Sequence, residues 1–267
     1  MTDTKIIRIC SSLLLGSFIF AICCVGQSTG SPDALWPDLS GDWAMAQYLV
    51  AAADLPLVGQ LFIYTTVGVL THVSQSGSEL VMQDAYCFTD AEPSTPLFMP
   101  HIGDDVMRSI CPDPRTVQLE QTDQGIRMSQ DWHVEVRGAL LENPASDPLP
   151  TTPDDSRLVD QEGDGFPGMT IRVELVGLYT GSTYAVQRYR YRLYGDVVDE
   201  NTIIGFIEWT SEQTIVAATN DLFLLPFADY TDPDSTKHKF IMTRVDETWT
   251  CDTLREQLPA LIEQLEL

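Results

Sequence analysis

The residues best suited to chemistry lie in one acidic, glycine-rich segment, 160–168. Its side-chain ligand candidates stand at alternate positions, on Asp160, Glu162 and Asp164. Oxygens at this spacing can converge on one point, and Gly165 permits the sharp turn that brings the Phe166 carbonyl to the same point. Hard oxygen ligands in this order are typical of calcium sites, so the segment predicts a structural calcium ion.

The segment is similar to the first half of an EF-hand loop, with acidic residues at positions 1, 3 and 5 and glycine at position 6. The second half differs, because position 12 is Ile171 where that loop requires a bidentate Glu, and a strand is predicted there instead of a helix. Asp154, Asp155 or Glu174 could complete the shell. The alternative is an acidic turn that binds only water.

A second group of candidate residues alternates along one predicted strand. Arginines at 188, 190 and 192 stand between Tyr189, Tyr191 and Leu193. Side chains two residues apart share a face of a strand. In one interpretation Arg190, with Tyr189 and Tyr191, lines an interior and binds a ligand that carries a carboxylate. The pattern favours the other interpretation, an outer arginine face paired with Glu208 and Glu212, with the tyrosines pointing inward.

Catalytic motifs give little support for an enzyme. The segment 26–30 matches G-x-S-x-G, but it does not lie between a predicted strand and a helix. No P-loop or H-E-x-x-H pattern occurs, and the carboxylates are too numerous for any one pair to be informative. We therefore interpret the protein as non-catalytic, with a hydrolase of cell-surface polymers as an alternative.

The charge balance excludes some partners. The chain has 39 Asp and Glu against 15 Lys and Arg, a net charge of −24 at pH 7. The electric field of such a charge repels a phosphate backbone, which excludes nucleic acid as a partner. For the same reason, the sequence argues against binding of anionic lipid head groups through a basic patch. At 44% hydrophobic and 20% charged, the chain can still form a packed core.

The N-terminal residues predict export. Lys5 and Arg8 precede an uncharged apolar stretch, 9–25, and small polar residues follow it. We interpret 1–26 as a signal peptide, 27–40 as a linker and 41–267 as a single β-rich domain, secreted or periplasmic by Gram-negative-type export. An uncleaved anchor, or a lipid anchor to the outer membrane at Cys23, stays open, although Ile22 is not the small residue that usually precedes a lipidated cysteine.

The cysteines that follow the predicted signal peptide are Cys87, Cys111 and Cys251. In an oxidising compartment two of them would pair. The sequence favours Cys87–Cys111, because each borders a proline-rich loop, and leaves Cys87–Cys251 open. A zinc site is opposed by the absence of CxxC spacing.

Hydrophobic periodicity predicts an all-β protein. Runs of period two, separated by turns, indicate eight or more antiparallel strands between 41 and 245. Leucines at helical spacing in 251–267 predict an amphipathic C-terminal helix. We expect an antiparallel β-barrel with a C-terminal α-helix, with a β-sandwich as the alternative.

Two ends of the predicted domain resemble lipocalins and related calycins. Gly41-Asp42-Trp43 opens the first strand, and Arg244 lies on the last strand before the helix. The resemblance implies that Trp43 closes one end of a barrel and that Arg244 packs across it. The resemblance also implies a small hydrophobic ligand inside the barrel. We expect a monomer without a membrane span in the mature chain, because Asp54, Pro56 and Gln60 interrupt the apolar stretch 48–70.

The long segments 88–114 and 143–168 are insertions by lipocalin standards. The chain is also similar to acidic secreted bacterial proteins with Asp/Gly-rich loops, which implies no activity. The competing function is a cell-surface interaction or adhesion module that is rigidified by calcium and has no cavity.

Overall fold

The computed structural model describes residues 36–55, 59–224 and 229–266. The predicted signal peptide, the lipid-anchor candidate Cys23 and the linker up to residue 35 lie outside these ranges. Within them, no helix is long and apolar enough to span a bilayer.

The described residues form twelve strands and two α-helices. The strands are β1 (Gly41–Leu55), β2 (Gly59–Ser76), β3 (Glu79–Pro93), β4 (Phe98–Ile102), β5 (Arg115–Thr122), β6 (Gly125–Gln130), β7 (His133–Arg137), β8 (Met169–Leu175), β9 (Tyr179–Asp199), β10 (Thr202–Ala218), β11 (Asp229–Thr231) and β12 (Lys239–Val245). The helices are α1 (Asp104–Ser109) and α2 (Cys251–Glu263).

Eight of these strands close into a ring. The ring follows chain order through β1, β2, β3, β5, β6, β9, β10 and β12, and β12 pairs with β1 again. Every neighbouring pair is antiparallel, which is the arrangement of an up-and-down barrel. The predicted all-β fold, an antiparallel barrel with a C-terminal helix, is confirmed.

Alternation along β1 shows why the helix lies where it does. Trp43 and Met45 point into the barrel, whereas Ala44 and Ala46 point outward and are buried beneath α2. Their small side chains let the apolar face of the helix approach the sheet, and its leucines 254, 258 and 261 cover them. Thr250 caps the N-terminus of the helix, because its hydroxyl accepts a hydrogen bond from the Thr253 backbone N–H at 3.2 Å.

The disulfide joins Cys87 to Cys251, so the favoured Cys87–Cys111 pairing is wrong. The Cα atoms of the bonded pair lie 5.1 Å apart, whereas Cys111 is a free, exposed thiol. The reason is the alternation along β3: Leu80, Met82 and Tyr86 point into the barrel, so Cys87 points outward, under the first residue of α2. A β-bulge follows, in which Tyr86 pairs with Val69 and Phe88 with the adjacent Gly68, so that Phe88 also lies on the outer side.

Trp43 and Arg244, the residues expected to close the barrel, stack on each other at one end of it, where β1 begins and β12 ends. The two residues are directly opposite in the β1–β12 register, and the guanidinium carbon of Arg244 lies 4.7 Å from the centroid of the fully buried Trp43 ring system. The guanidinium also donates hydrogen bonds to the carbonyls of Asp38, Ser40 and Glu200 at 2.5–3.0 Å. This arginine thus ties the segment before β1 to the turn before β10.

Gly41 makes room for that arginine. Its φ is +120°, which favours glycine, and a Cβ there would lie 3.1 Å from the Arg244 Nη1 atom. The glycine of the Gly-x-Trp pattern is therefore required by the same closure.

We expect Arg244→Lys to lower the free energy of unfolding by about 1–3 kcal/mol, because lysine lacks the planar fork that reaches three carbonyls while stacking on indole. Urea unfolding followed by tryptophan fluorescence measures this change. Arg127→Lys is the matched control, because Arg127 forms an exposed pair with Asp196 at 3.1 Å, and we expect a change below about 0.5 kcal/mol. Equal effects of the two substitutions would contradict the closure.

Candidate ligand-binding cavity

The half of the barrel away from Trp43 contains a cavity of about 830 Å³. Its wall is mainly apolar and includes residues from β1, β2 and β8. Representative wall residues are Leu49, Ala51, Ile63, Val67, Ile171 and Val173. The volume falls within the range of about 300–1,000 Å³ that is typical of small-molecule sites.

Part of the cavity wall comes from the segment 88–114, which includes the end of β3, β4 and α1. In the ring, β5 pairs with β3 only at residues 79–82, and β6 pairs with β9 only at residues 194–197, so neither reaches the cavity level. There β8 pairs with the first half of β9, and β4 pairs with β8. Phe98 and Ile102 of β4 and Met107 of α1 then complete the wall.

A buried polar layer lies beneath the cavity, and Glu135 of β7 is its centre. The carboxylate accepts hydrogen bonds from the hydroxyls of Tyr86 (2.9 Å) and Tyr191 (3.1 Å) and from Nη2 of Arg137 (3.1 Å). Burial, together with the Glu135 charge, raises the pKa of both tyrosines well above their usual range. Both hydroxyls therefore stay protonated and remain donors.

A second buried ion pair extends this layer. Arg115 donates from Nε to the Asp84 carboxylate at 2.7 Å and from Nη1 to Gln130 at 2.6 Å. The Thr71 hydroxyl donates to the same carboxylate at 2.8 Å. Each buried positive charge in this layer thus has a carboxylate partner, which is what burial of charge requires.

Three residues of the cavity lining each have one buried hydrogen-bond donor, which does not face the cavity and has no partner among the described residues. These donors are Nε of Arg137, the hydroxyl of Tyr189 and Nε1 of Trp209. Their residues are 7%, 7% and 9% exposed, so the donors are shielded from bulk water. The three are contiguous: the guanidinium carbon lies 5.2 Å from the Tyr189 ring, and that ring lies 5.9 Å from the Trp209 ring.

The tyrosine face of β9 points inward and the arginine stripe outward. Tyr189 lines the cavity, while Tyr191 lies in the polar layer on Glu135 and does not line it. Arg190 does not line the cavity either. It is exposed on the outer face, with its guanidinium carbon 4.4 Å from the Trp132 ring, because period-two alternation places it opposite the tyrosines.

The flanking arginines of the stripe form outer-face ion pairs. Arg188 and Arg192 each lie 2.6 Å from a carboxylate, on Glu212 and Glu208 respectively. These partners stand directly opposite in the β9–β10 register. The stripe is therefore an outer surface, as its alternation favours.

The acidic glycine-rich segment folds around its own carboxylates. The Asp160 carboxylate accepts hydrogen bonds from the backbone N–H groups of residues 163, 164 and 165 at 2.8–3.0 Å. Asp164 accepts from the Phe166 N–H at 3.0 Å and from the Thr170 hydroxyl at 2.7 Å, and Glu162 accepts from the Thr170 N–H at 2.8 Å. Gly165 has φ +91°, as the sharp turn requires.

No group of three or more His, Cys, Asp or Glu side chains in the described part of the chain is placed to hold a metal ion. Phe166 instead stacks on Tyr184, with ring centroids 4.5 Å apart. The calcium site stays a prediction.

The cavity mouth has a half-exposed apolar rim. Leu97, Val176 and Leu222 line the cavity and are 39%, 49% and 39% exposed. Val176 has φ +48°, a left-handed conformation that is costly for a β-branched residue. Its backbone N–H donates to the Leu97 carbonyl at 2.8 Å, which ties the β8–β9 turn to the chain before β4.

The sequence does not match any protein-family model, and no curated protein matches it. The cavity and its geometry therefore carry the functional argument.

Sequence reasoning missed the residues that shape the polar end of the cavity. Glu135, Arg137 and Trp209 were not candidates, although Glu135 and Arg137 stand two residues apart on one strand with Val136 between them. Charges alternating with valine usually mark a solvated face. Only the pairing of β7 with β9, in a register that buries the side chains of Glu135 and Arg137, reverses that inference.

We expect Val176→Asn to raise the free energy of unfolding by about 1 kcal/mol, because asparagine tolerates the left-handed conformation better than a β-branched residue. Chemical denaturation measures it. Val198→Asn is the control, because Val198 is also exposed (60%) but has no positive φ, so asparagine should not stabilise there. A loss of stability at position 176 would contradict the strain argument.

Proposed function

We propose that the protein is a non-catalytic binding protein that holds a small, mainly apolar ligand in the barrel cavity. The observation that carries this proposal is the apolar cavity of about 830 Å³ within a barrel whose other half is densely filled. A small barrel fills its interior with side chains unless it is shaped around a ligand. The lining also includes a few polar residues, among them Gln47, Gln187 and Ser211, and this composition suits an apolar molecule with one polar end.

The competing function, a calcium-rigidified interaction or adhesion module, needs no cavity. A module of that kind gains stability from a filled interior, because an apolar void forfeits dispersion contacts. The cavity therefore favours the binding protein.

Kinship with lipocalins is part of the proposal. It is supported by the eight-strand ring in chain order, by Arg244 stacked on Trp43, and by the C-terminal helix against the outer wall. Lipocalins belong to the up-and-down barrels that hold one small ligand. The additional strands β4 and β8 would then be this protein's own extension of the cavity.

Export to a secreted or periplasmic location is also proposed. It is supported by the Cys87–Cys251 disulfide, since such bonds persist in oxidising compartments. Intact-mass measurement of the protein from its own host distinguishes cleavage near residue 26 from lipidation at Cys23.

We expect an uncharged apolar fluorophore, N-phenyl-1-naphthylamine, to bind with one site per chain, and Ala91→Trp to abolish binding. Ala91 is a half-buried cavity-lining residue on β3, so an indole there projects into the ligand space. The measurement is a fluorescence titration, with the melting temperature as a check of folding.

Ala145→Trp is the matched control, because Ala145 lies on an exposed loop outside the cavity lining. The proposal is wrong if the wild type does not bind the probe, or if Ala91→Trp binds it as well as the wild type does. Native mass spectrometry of the protein from its host adds an independent readout: a co-purified small apolar mass is expected.

A structural calcium ion at 160–166 is the second part of the proposal to be tested. It is supported by one buried carboxylate oxygen, Oε2 of Glu162, that has no hydrogen-bond partner among the described residues. We expect calcium to raise the melting temperature with half-saturation on the order of 10⁻⁴–10⁻³ M, and Glu162→Gln to abolish the shift.

Asp123→Asn, in an exposed turn, should keep the calcium shift and serves as the control. An unchanged melting temperature at saturating calcium would show that the segment is a self-bonded turn.

A further inference from the structure

We propose that Gln47 selects the ligand by its polar group, and that this group is an uncharged hydroxyl, as in a long-chain alcohol. The inference rests on the proposed function and deepens it, because it names the ligand chemistry that the cavity selects. The observation behind it is a buried carboxamide that lines the cavity and whose oxygen has no hydrogen-bond partner among the described residues.

Gln47 lies at the inner end of the cavity. It is the first residue of β1 that lines the cavity, one inward position beyond Met45 of the filled half. In the sheet register it stands opposite Phe240 of β12 and Val67 of β2. The residue is 3% exposed, and the alternation along β1 directs its side chain inward.

The carboxamide oxygen of Gln47 is free for a ligand. The amide nitrogen donates to Sδ of Met45 at 3.7 Å, whereas Oε1 accepts no hydrogen bond from the residues that the structure describes. The unpartnered side-chain atoms of these residues that water cannot reach belong to five other side chains, so Oε1 of Gln47 is open to the cavity. A thioether sulfur has no hydrogen to donate, so the nitrogen belongs on the side of Met45 and the oxygen is left for the ligand.

The other polar residues of the lining select less strongly. Gln187 is fully engaged, because its Oε1 accepts from Nη1 of Arg137 at 3.2 Å and its Nε2 donates to the Ser211 hydroxyl at 3.1 Å. Gln213 is only half-buried, so water competes for its amide. Thr89 stands in the same cross-strand row as Gln47, but a hydroxyl can either donate or accept and therefore does not discriminate.

A free acceptor oxygen requires a donor on the ligand. A hydroxyl supplies one, whereas a ketone, an ester, an ether or an ionised carboxylate supplies none. Two acceptors that meet at the inner end of the cavity would both lose water without gaining a hydrogen bond, which costs free energy. An ammonium group could also donate, but no Asp or Glu of the described chain lines the cavity to balance its charge.

The polarity of the two ends of the cavity fits the same orientation of the ligand. The half-exposed rim at the mouth is apolar and consists of Leu97, Val176 and Leu222. The apolar chain of the alcohol therefore lies toward the mouth, and its hydroxyl lies at the inner end, against Gln47.

The test compares two isomers, decan-1-ol and 1-methoxynonane, by competition against N-phenyl-1-naphthylamine. The isomers contain the same atoms and similar chains, but only the alcohol can donate a hydrogen bond. We expect Gln47→Met to weaken alcohol binding about three- to tenfold, the effect of one lost hydrogen bond, and to leave ether binding unchanged. Methionine is unbranched like glutamine, so the substitution removes the amide with little change in shape.

Leu49→Met is the matched control, because Leu49 is the next inward residue of β1 and also lines the cavity. This substitution changes the shape of the wall but not its polarity, so the affinities for the alcohol and the ether should change by the same factor. The melting temperature of Gln47→Met should equal or exceed that of the wild type, because the carboxamide oxygen has no partner in the protein without ligand.

The outcomes are distinguishable. If Gln47→Met does not weaken alcohol binding relative to ether binding, the hydroxyl assignment is wrong while the binding function stands. The assignment is also wrong if neither isomer displaces the bound fluorophore from the wild type, or if Gln47→Met clearly lowers the melting temperature, which would show that the amide is structural. If the fluorophore itself does not bind, the proposed function fails and the assignment fails with it.

Discussion

The structure depends on the burial of Glu135 and Arg137 inside the barrel. Removing charges from water is costly, and it is tolerated only when every charge is paired and hydrogen-bonded. Tyr86 and Tyr191 supply the remaining bonds to Glu135, so β3, β7 and β9 must hold their positions relative to one another. The pair therefore fixes the relative positions of these three strands. It also separates the barrel into a half that is filled with side chains and a half that contains the cavity.

The interiors of the two halves of the barrel are built differently. Below the polar layer, apolar side chains such as Met45, Met128 and Phe240 fill the ring, and Arg244 stacks on Trp43 at its end. Above the layer, the ring strands β5 and β6 are replaced by β4, β8 and α1, and the wider wall encloses a cavity. The same layer thus serves as the top of a core and the floor of a binding site.

The cavity half also departs from what stability alone would select. Three buried donors have no partner among the residues that the structure describes, and Val176 occupies a left-handed conformation at the mouth. Local inconsistencies of this kind tend to concentrate at functional sites, where a ligand supplies what the fold does not. In the filled half, by contrast, the closure residues use their polar atoms on neighbouring carbonyls.

The sequence alone determined what depends on the local period of the side chains. Alternation predicted the antiparallel strands, helical spacing predicted the C-terminal helix, and both are confirmed. Only the tertiary structure decided that Cys87 pairs with Cys251, because it packs α2, which is far away in the chain, over the outer face of β3 on which Cys87 lies. The tertiary structure also decided that the side chains of Glu135 and Arg137 lie inside the barrel. Period-two alternation shows which residues share a face of a strand, but it does not show which face becomes the interior when the ring closes.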